Sequence, residues 1–134
     1  DLLEPVRNSY KTNTPIEWNR VHNLPHYAYF NHSIHIAKGV GCATCHGRLD
    51  QMNLTMQSST LLMEWCIACH PEPEKNLRPK EFVYDMTWTP GHGGTDPTTG
   101  EMYPTDQKQL GRVLKERYRV RDAVTLTNCS MCHR

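Results

Sequence analysis

Cys42-Ala-Thr-Cys45-His46 recurs as Cys66-Ile-Ala-Cys69-His70 and again as Cys129-Ser-Met-Cys132-His133. In each copy two thiols are followed at once by an imidazole. Such a pair can close thioether bonds onto the two vinyl groups of a haem, and the histidine then falls under the ring as the first iron ligand. Three disulfides, zinc knuckles or redox dithiols would also use cysteines in pairs. None of these needs a histidine directly after the second cysteine, and the three motifs use all six cysteines of the chain. The pattern therefore implies three covalently bound haem c groups. Cys42, Cys45, Cys66, Cys69, Cys129 and Cys132 would attach them, and His46, His70 and His133 would ligate the irons.

Composition points the same way. In 134 residues there are only two phenylalanines, with nine prolines, eight glycines and 37% apolar residues. That is a thin core for one domain, unless porphyrin faces supply the missing apolar surface. The expected architecture is a single domain over residues 1–134, mostly irregular with short α-helices, wrapped around a haem cluster. A net charge of +1 gives no polybasic stripe for nucleic acid or anionic lipid. No apolar run approaches the roughly 20 residues of a membrane span. Haem joins such motifs after export, so the chain is expected in the periplasm, with a signal or an N-terminal anchor upstream of Asp1.

Three irons need six axial ligands, and five histidines remain to supply the distal three. Residues 1–28 read as an extended arm punctuated by Pro5, Pro15 and Pro25. Within it His22 and His26 are candidate ligands, although Pro25 argues against one helical turn presenting both. His32 and His35, three apart, would project from one side of a helical turn toward two neighbouring irons. Gly39 and Gly41 then let the backbone fold back and bring the first motif beneath them.

Residues 50–60 read as a loop. From Thr60 a short helix is expected to carry the second motif, capped by Thr60 and stopped by Pro71 and Pro73. On it Cys66, Cys69 and His70 share a face. Met63 is a candidate thioether ligand, against the plainer expectation that it packs on the ring. Trp65 and Trp88 read as packing at haem edges. Residues 71–106, rich in Pro, Gly and Thr, read as a long loop laid over a haem or a partner, with His92 in a glycine-flanked turn as a further candidate ligand. Thr105 or Asp106 would cap a final amphipathic helix with an apolar stripe of Leu110, Val113, Leu114 and Tyr118, packed on the haem cluster.

With every iron six-coordinate no position is left for a substrate, which argues for electron transfer. The sequence shows no nucleophile and base pair, P-loop or dinucleotide glycine pattern, so no catalytic centre and no small-molecule substrate is expected in this chain.

Phe30-Asn31-His32-Ser33-Ile34-His35, followed shortly by the first haem motif, resembles the opening of class III multihaem cytochromes, periplasmic carriers with bis-histidine haems. The resemblance implies that His32 caps the haem on Cys42, Cys45 and His46, and that His35 caps a neighbour, the haem on Cys129, Cys132 and His133. Val6-Arg7-Asn8-Ser9-Tyr10, Thr14-Pro15-Ile16, Arg20-Val21-His22, Met63-Glu64-Trp65-Cys66 and the closing Cys129-Ser130-Met131-Cys132-His133-Arg134 extend the likeness. Together these stretches resemble the multihaem subunit of alternative complex III, a membrane quinol:electron-acceptor oxidoreductase. Partners implied by that resemblance are an iron-sulfur or quinol-site subunit and a monohaem cytochrome. That subunit usually carries two more haem motifs and a membrane anchor upstream, so this sequence reads either as the C-terminal part of a longer one or as a truncated relative. The alternatives are a free periplasmic shuttle, or a small multihaem reductase with one open iron.

Overall fold

The structure, a computed structural model, describes residues 1–133. Among them the chain forms α1 (Glu4–Thr12), α2 (His32–Ala37), α3 (Cys42–His46), α4 (Met63–Cys69), α5 (Gln107–Arg117) and α6 (Ala123–Leu126). Isolated bridges, Ala28 to His133, Val40 to Leu77 and Thr95 to Met102, stand where a sheet would be. The mostly irregular chain with short helices is thus observed.

The arm is not wholly extended. Glu4 and Pro5 open α1, where proline's missing N–H costs nothing and its φ already suits a helix. Asn13 closes it in the left-handed conformation. The helix buries no residue, and Leu2, Leu3, Val6, Tyr10 and Trp18 stay exposed.

A second departure is larger. Residues 71–106 are mostly irregular, as expected of a loop, and they also build the small protein core. Leu77, Trp88 and Tyr103 from this segment pack with Leu110 and Leu114 of α5, joined by partly buried Val40, Phe82, Tyr118 and Val120. Trp88 is buried in this core: it stacks on Phe82 at 6.2 Å between ring centres, and the Arg78 guanidinium covers it at 4.9 Å. Asp106, not Thr105, caps α5 by accepting the Gln109 N–H at 2.9 Å. The helix packs on the turn Pro73–Lys75 through Leu110, Gly111 and Leu114, while Val113 is exposed. A Cβ built at Gly111 would fall on the Glu74 carbonyl, so only glycine allows this approach. Polar ties fix the same contact. The Gln107 side-chain amide donates to the carbonyls of Glu74 and Leu77 at 2.9 and 2.8 Å, and Lys115 pairs with Glu74 at 3.0 Å.

This core is clamped directly to the segment that carries the first motif. The Arg78 N–H donates to the Gly39 carbonyl at 2.8 Å, and the Cys42 N–H donates to the Val83 carbonyl at 3.0 Å. Lys38 reaches the Tyr118 carbonyl at the end of α5 at 2.6 Å. Gly39, at φ +81°, makes the reversal between α2 and α3. Beside it Gly41 leaves room for the Arg78 guanidinium, which a Cβ would displace.

Candidate haem-binding site

Asn31 begins the site. Its side chain accepts the Ser33 N–H at 2.9 Å and caps α2, a six-residue helix too short to persist without such help. Three positions apart on α2, His32 and His35 diverge toward different motifs. The His32 ring faces that of His46, centres 6.2 Å apart and 8° from parallel. The His35 ring faces that of His70 at 6.3 Å and 28°. An imidazole nitrogen sits about 2 Å from a metal it ligates and about 1 Å from its own ring centre, so two rings sandwiching one ion have centres roughly 6 Å apart. Both pairs have that spacing.

The tautomers agree. A carbonyl oxygen only accepts, so an Nδ1 bonded to one must carry the proton, leaving the Nε2 lone pair for a metal. His35 Nδ1 donates to the Asn31 carbonyl at 2.9 Å, His70 Nδ1 to Leu126 at 2.9 Å, and His133 Nδ1 to Tyr27 at 3.1 Å. Burial lowers the pKa of His35 and His46, reinforced by neighbouring imidazoles, so the neutral ligand form is favoured.

The thiols converge as well. All six are free, and only Cys129 is exposed. Burial pushes the Cys45 thiol up to about 11, with Cys69, Cys66 and Cys42 adding to the effect. Burial likewise raises the Cys66 thiol, with Cys132 and Cys69 adding to the effect. The second motif is tied by geometry to elements beside both others: its His70 faces His35 of α2 and donates to the Leu126 carbonyl of α6. Among the described residues no group of three or more His, Cys, Asp or Glu is placed to hold a bare metal ion. The arrangement suits a flat ring slotted between imidazoles, with a thiol pair at its edge. It does not suit zinc.

A family model described as cytochrome c7 and related cytochrome c matches residues 28–134. The chain belongs to the cytochrome c7 family. No curated protein matches it. Membership makes this a multihaem electron-transfer protein holding covalent c-type haems.

In this cytochrome c7 relative the remaining sequence candidates fall in distinct places. His35 stands opposite His70 of the second motif, not His133 of the third, because α2 lies across the first two motifs. His22 touches His46 edge-on, ring centres 4.5 Å apart at 81°, closer than the roughly 6 Å of two imidazoles that share one iron. The His22 Nε2 and His46 Nδ1 atoms are both buried without a hydrogen-bond partner. His26 is exposed beside Tyr27. His92 sits exposed in its turn, its ring 6.5 Å from that of Phe82. Met63 opens α4, whose N-cap is Leu62 rather than Thr60; the Thr60 hydroxyl accepts only a long bond of 3.4 Å from the Leu62 N–H. No helix of the described residues is long and apolar enough to cross a membrane.

Tyr27 was missed from the sequence. Its carbonyl fixes His133 across 106 positions, aided by the Ala28 to His133 bridge and the Tyr29 N–H to Cys132 carbonyl bond at 2.8 Å. No local pattern signals such a contact.

Proposed function

We propose that the chain binds three haems and serves as the electron-relay subunit of a membrane quinol-oxidising complex of the alternative complex III type. The observation that carries the electron-relay reading is the pair of imidazole sandwiches, His32 with His46 and His35 with His70, both springing from one short helix. When bound, haem iron supplies a reversible one-electron couple. The chain's part is to hold the second motif between the other two, to close two irons to substrate with paired imidazoles, and to keep the ligand nitrogens deprotonated by backbone acceptors.

What supports the complex over a free carrier is the arm. Its apolar Leu2, Leu3, Val6, Tyr10 and Trp18 are exposed, outside the family match, and α1 buries none of its residues. A free periplasmic shuttle is the second reading, favoured by the family match over residues 28–134, which covers every motif and the whole core.

The discriminating experiment is a haem-stained native gel of soluble and detergent-solubilised membrane fractions, with the stained polypeptide identified by mass. Migration of this sequence with haem in a large membrane assembly is expected. A small soluble haem protein instead would overturn the complex and leave the shuttle. Carbon monoxide binding by either of the two histidine-sandwiched irons would point to a reductase.

A further inference from the structure

Among the described residues two charged side chains are buried, Arg78 and Asp96. Asp96 is paired with Arg117. No carboxylate of the described residues forms an ion pair with Arg78. Its Nη1 donates to the Asp85 backbone carbonyl at 3.0 Å, its Nε is buried without a partner, and its flat face lies over Trp88. The Asp85 carboxylate is spent elsewhere, accepting from the Thr87 N–H and hydroxyl at 2.8 and 2.7 Å. A cation buried without an anion carries a large desolvation cost.

The charge stands against the first motif. A Cβ built at Gly41 would fall 2.2 Å from both Cζ and Nε of Arg78, so the guanidinium is packed on the residue bonded to Cys42. The backbone holds it there, because the Arg78 N–H donates to the Gly39 carbonyl at 2.8 Å and the Cys42 N–H to that of Val83 at 3.0 Å. Other cations of this region do less. Arg48, two positions after His46, is exposed and neutralised by Asp50 at 2.6 Å, and Lys38 reaches away to the Tyr118 and Arg119 carbonyls. Near the second motif Lys75 is exposed and paired with Glu72.

We infer that the Arg78 guanidinium raises the potential of the haem held by Cys42, Cys45 and His46 above that of the haem held by Cys66, Cys69 and His70. A ferrous haem carries one positive charge fewer than a ferric one, so a fixed cation beside it favours the reduced state. Burial in a medium of low dielectric strengthens that effect. The inference deepens the electron-relay reading and rests on the first motif holding haem. Arg78 acts here as a positioning charge and not as a ligand. Between two haems with the same pair of imidazoles it supplies a difference, and an electron shared by them settles on the first.

The test uses the full chain matured with haem. Haem content at each motif is measured first by mass spectrometry of proteolytic fragments; a first motif without haem would overturn the haem reading itself. With haem present, each potential is followed by a redox titration resolved by nuclear magnetic resonance of the haem methyl groups, assigned through contacts to their own motif. Arg78→Met, which keeps the bulk on Trp88 and removes the charge, should lower the reduction equilibrium of the first haem by about tenfold, or about 59 mV for one electron, and move the other haems less. Arg78→Lys should stay near the wild type. A first-haem potential unchanged in Arg78→Met would overturn the inference, as would an equal fall in Arg78→Lys, which would mark a packing role. Arg78→Gln, which keeps a donor for the Asp85 carbonyl, replaces the methionine variant if that protein does not mature. If neither matures, the wild-type order decides, and a first haem titrating at or below the second would overturn the inference.

Discussion

The His32 and His46 rings lie 6.2 Å apart and only 8° from parallel, although one is on α2 and the other ends α3. The reversal at Gly39 and the clamp of Arg78 and Val83 on the backbone between them set that relation. That spacing is compatible with two imidazoles on one iron, and it is set by groups remote from both rings.

His32→Ala should leave the first haem attached through Cys42 and Cys45 while removing one axial ligand. One iron becomes high-spin and binds carbon monoxide. His35→Ala should do the same to the haem on Cys66 and Cys69, and the double variant should show two such irons. Electron paramagnetic resonance counts them; a third motif affected by His35→Ala would contradict the pairing with His70.

Asn31→Ala removes the side-chain acceptor that caps α2. Lost caps cost about 1 kcal/mol. Since α2 presents both distal histidines, heterogeneous spin states should accompany the lower thermal midpoint, and Asn31→Asp should restore both.

Gly111→Ala drives a methyl group into the Glu74 carbonyl where α5 crosses the Pro73–Lys75 turn. Overpacking of this kind costs about 1–3 kcal/mol. Denaturant unfolding should show the loss, with haem spectra unchanged because no ligand is borne on α5.

Asp96 gives the acid limb. Burial alone would raise its carboxyl, but the Thr98 N–H at 2.8 Å and the ion pair with Arg117 outweigh that and hold it below its ordinary 3.8. A folded pKa below the unfolded one means that the unfolded chain binds the proton more readily in acid. The contribution is therefore complete above about pH 4 and lost as pH falls through the folded value. Asp96→Asn should be less stable than the wild type at neutral pH, and the gap should close below pH 4; a gap independent of pH would rule out the Arg117 pairing as its source.

The candidate haem-attaching residues were legible at once, because thioether attachment and proximal ligation need only Cys, Cys and His within five consecutive positions. The short helices followed from proline and glycine spacing. The character of residues 71–106 was not legible: Leu77, Trp88 and Tyr103 are scattered among turn residues, and only contact with Leu110 and Leu114 shows them to be core. The same holds for α1, whose single turn signals at Pro5 and Asn13 sit in a polar stretch without periodicity.

By itself, then, the sequence determined the cofactor type, the candidate attachment points and proximal ligands, and the availability of His32 and His35. Only the tertiary structure decided that His35 meets His70, that His22 packs on His46, and that Tyr27 holds His133. The physical reason is range. Covalent attachment is written in neighbouring residues, whereas a distal ligand is chosen by where the chain returns in space, and that is set by a core assembled from residues far apart along it.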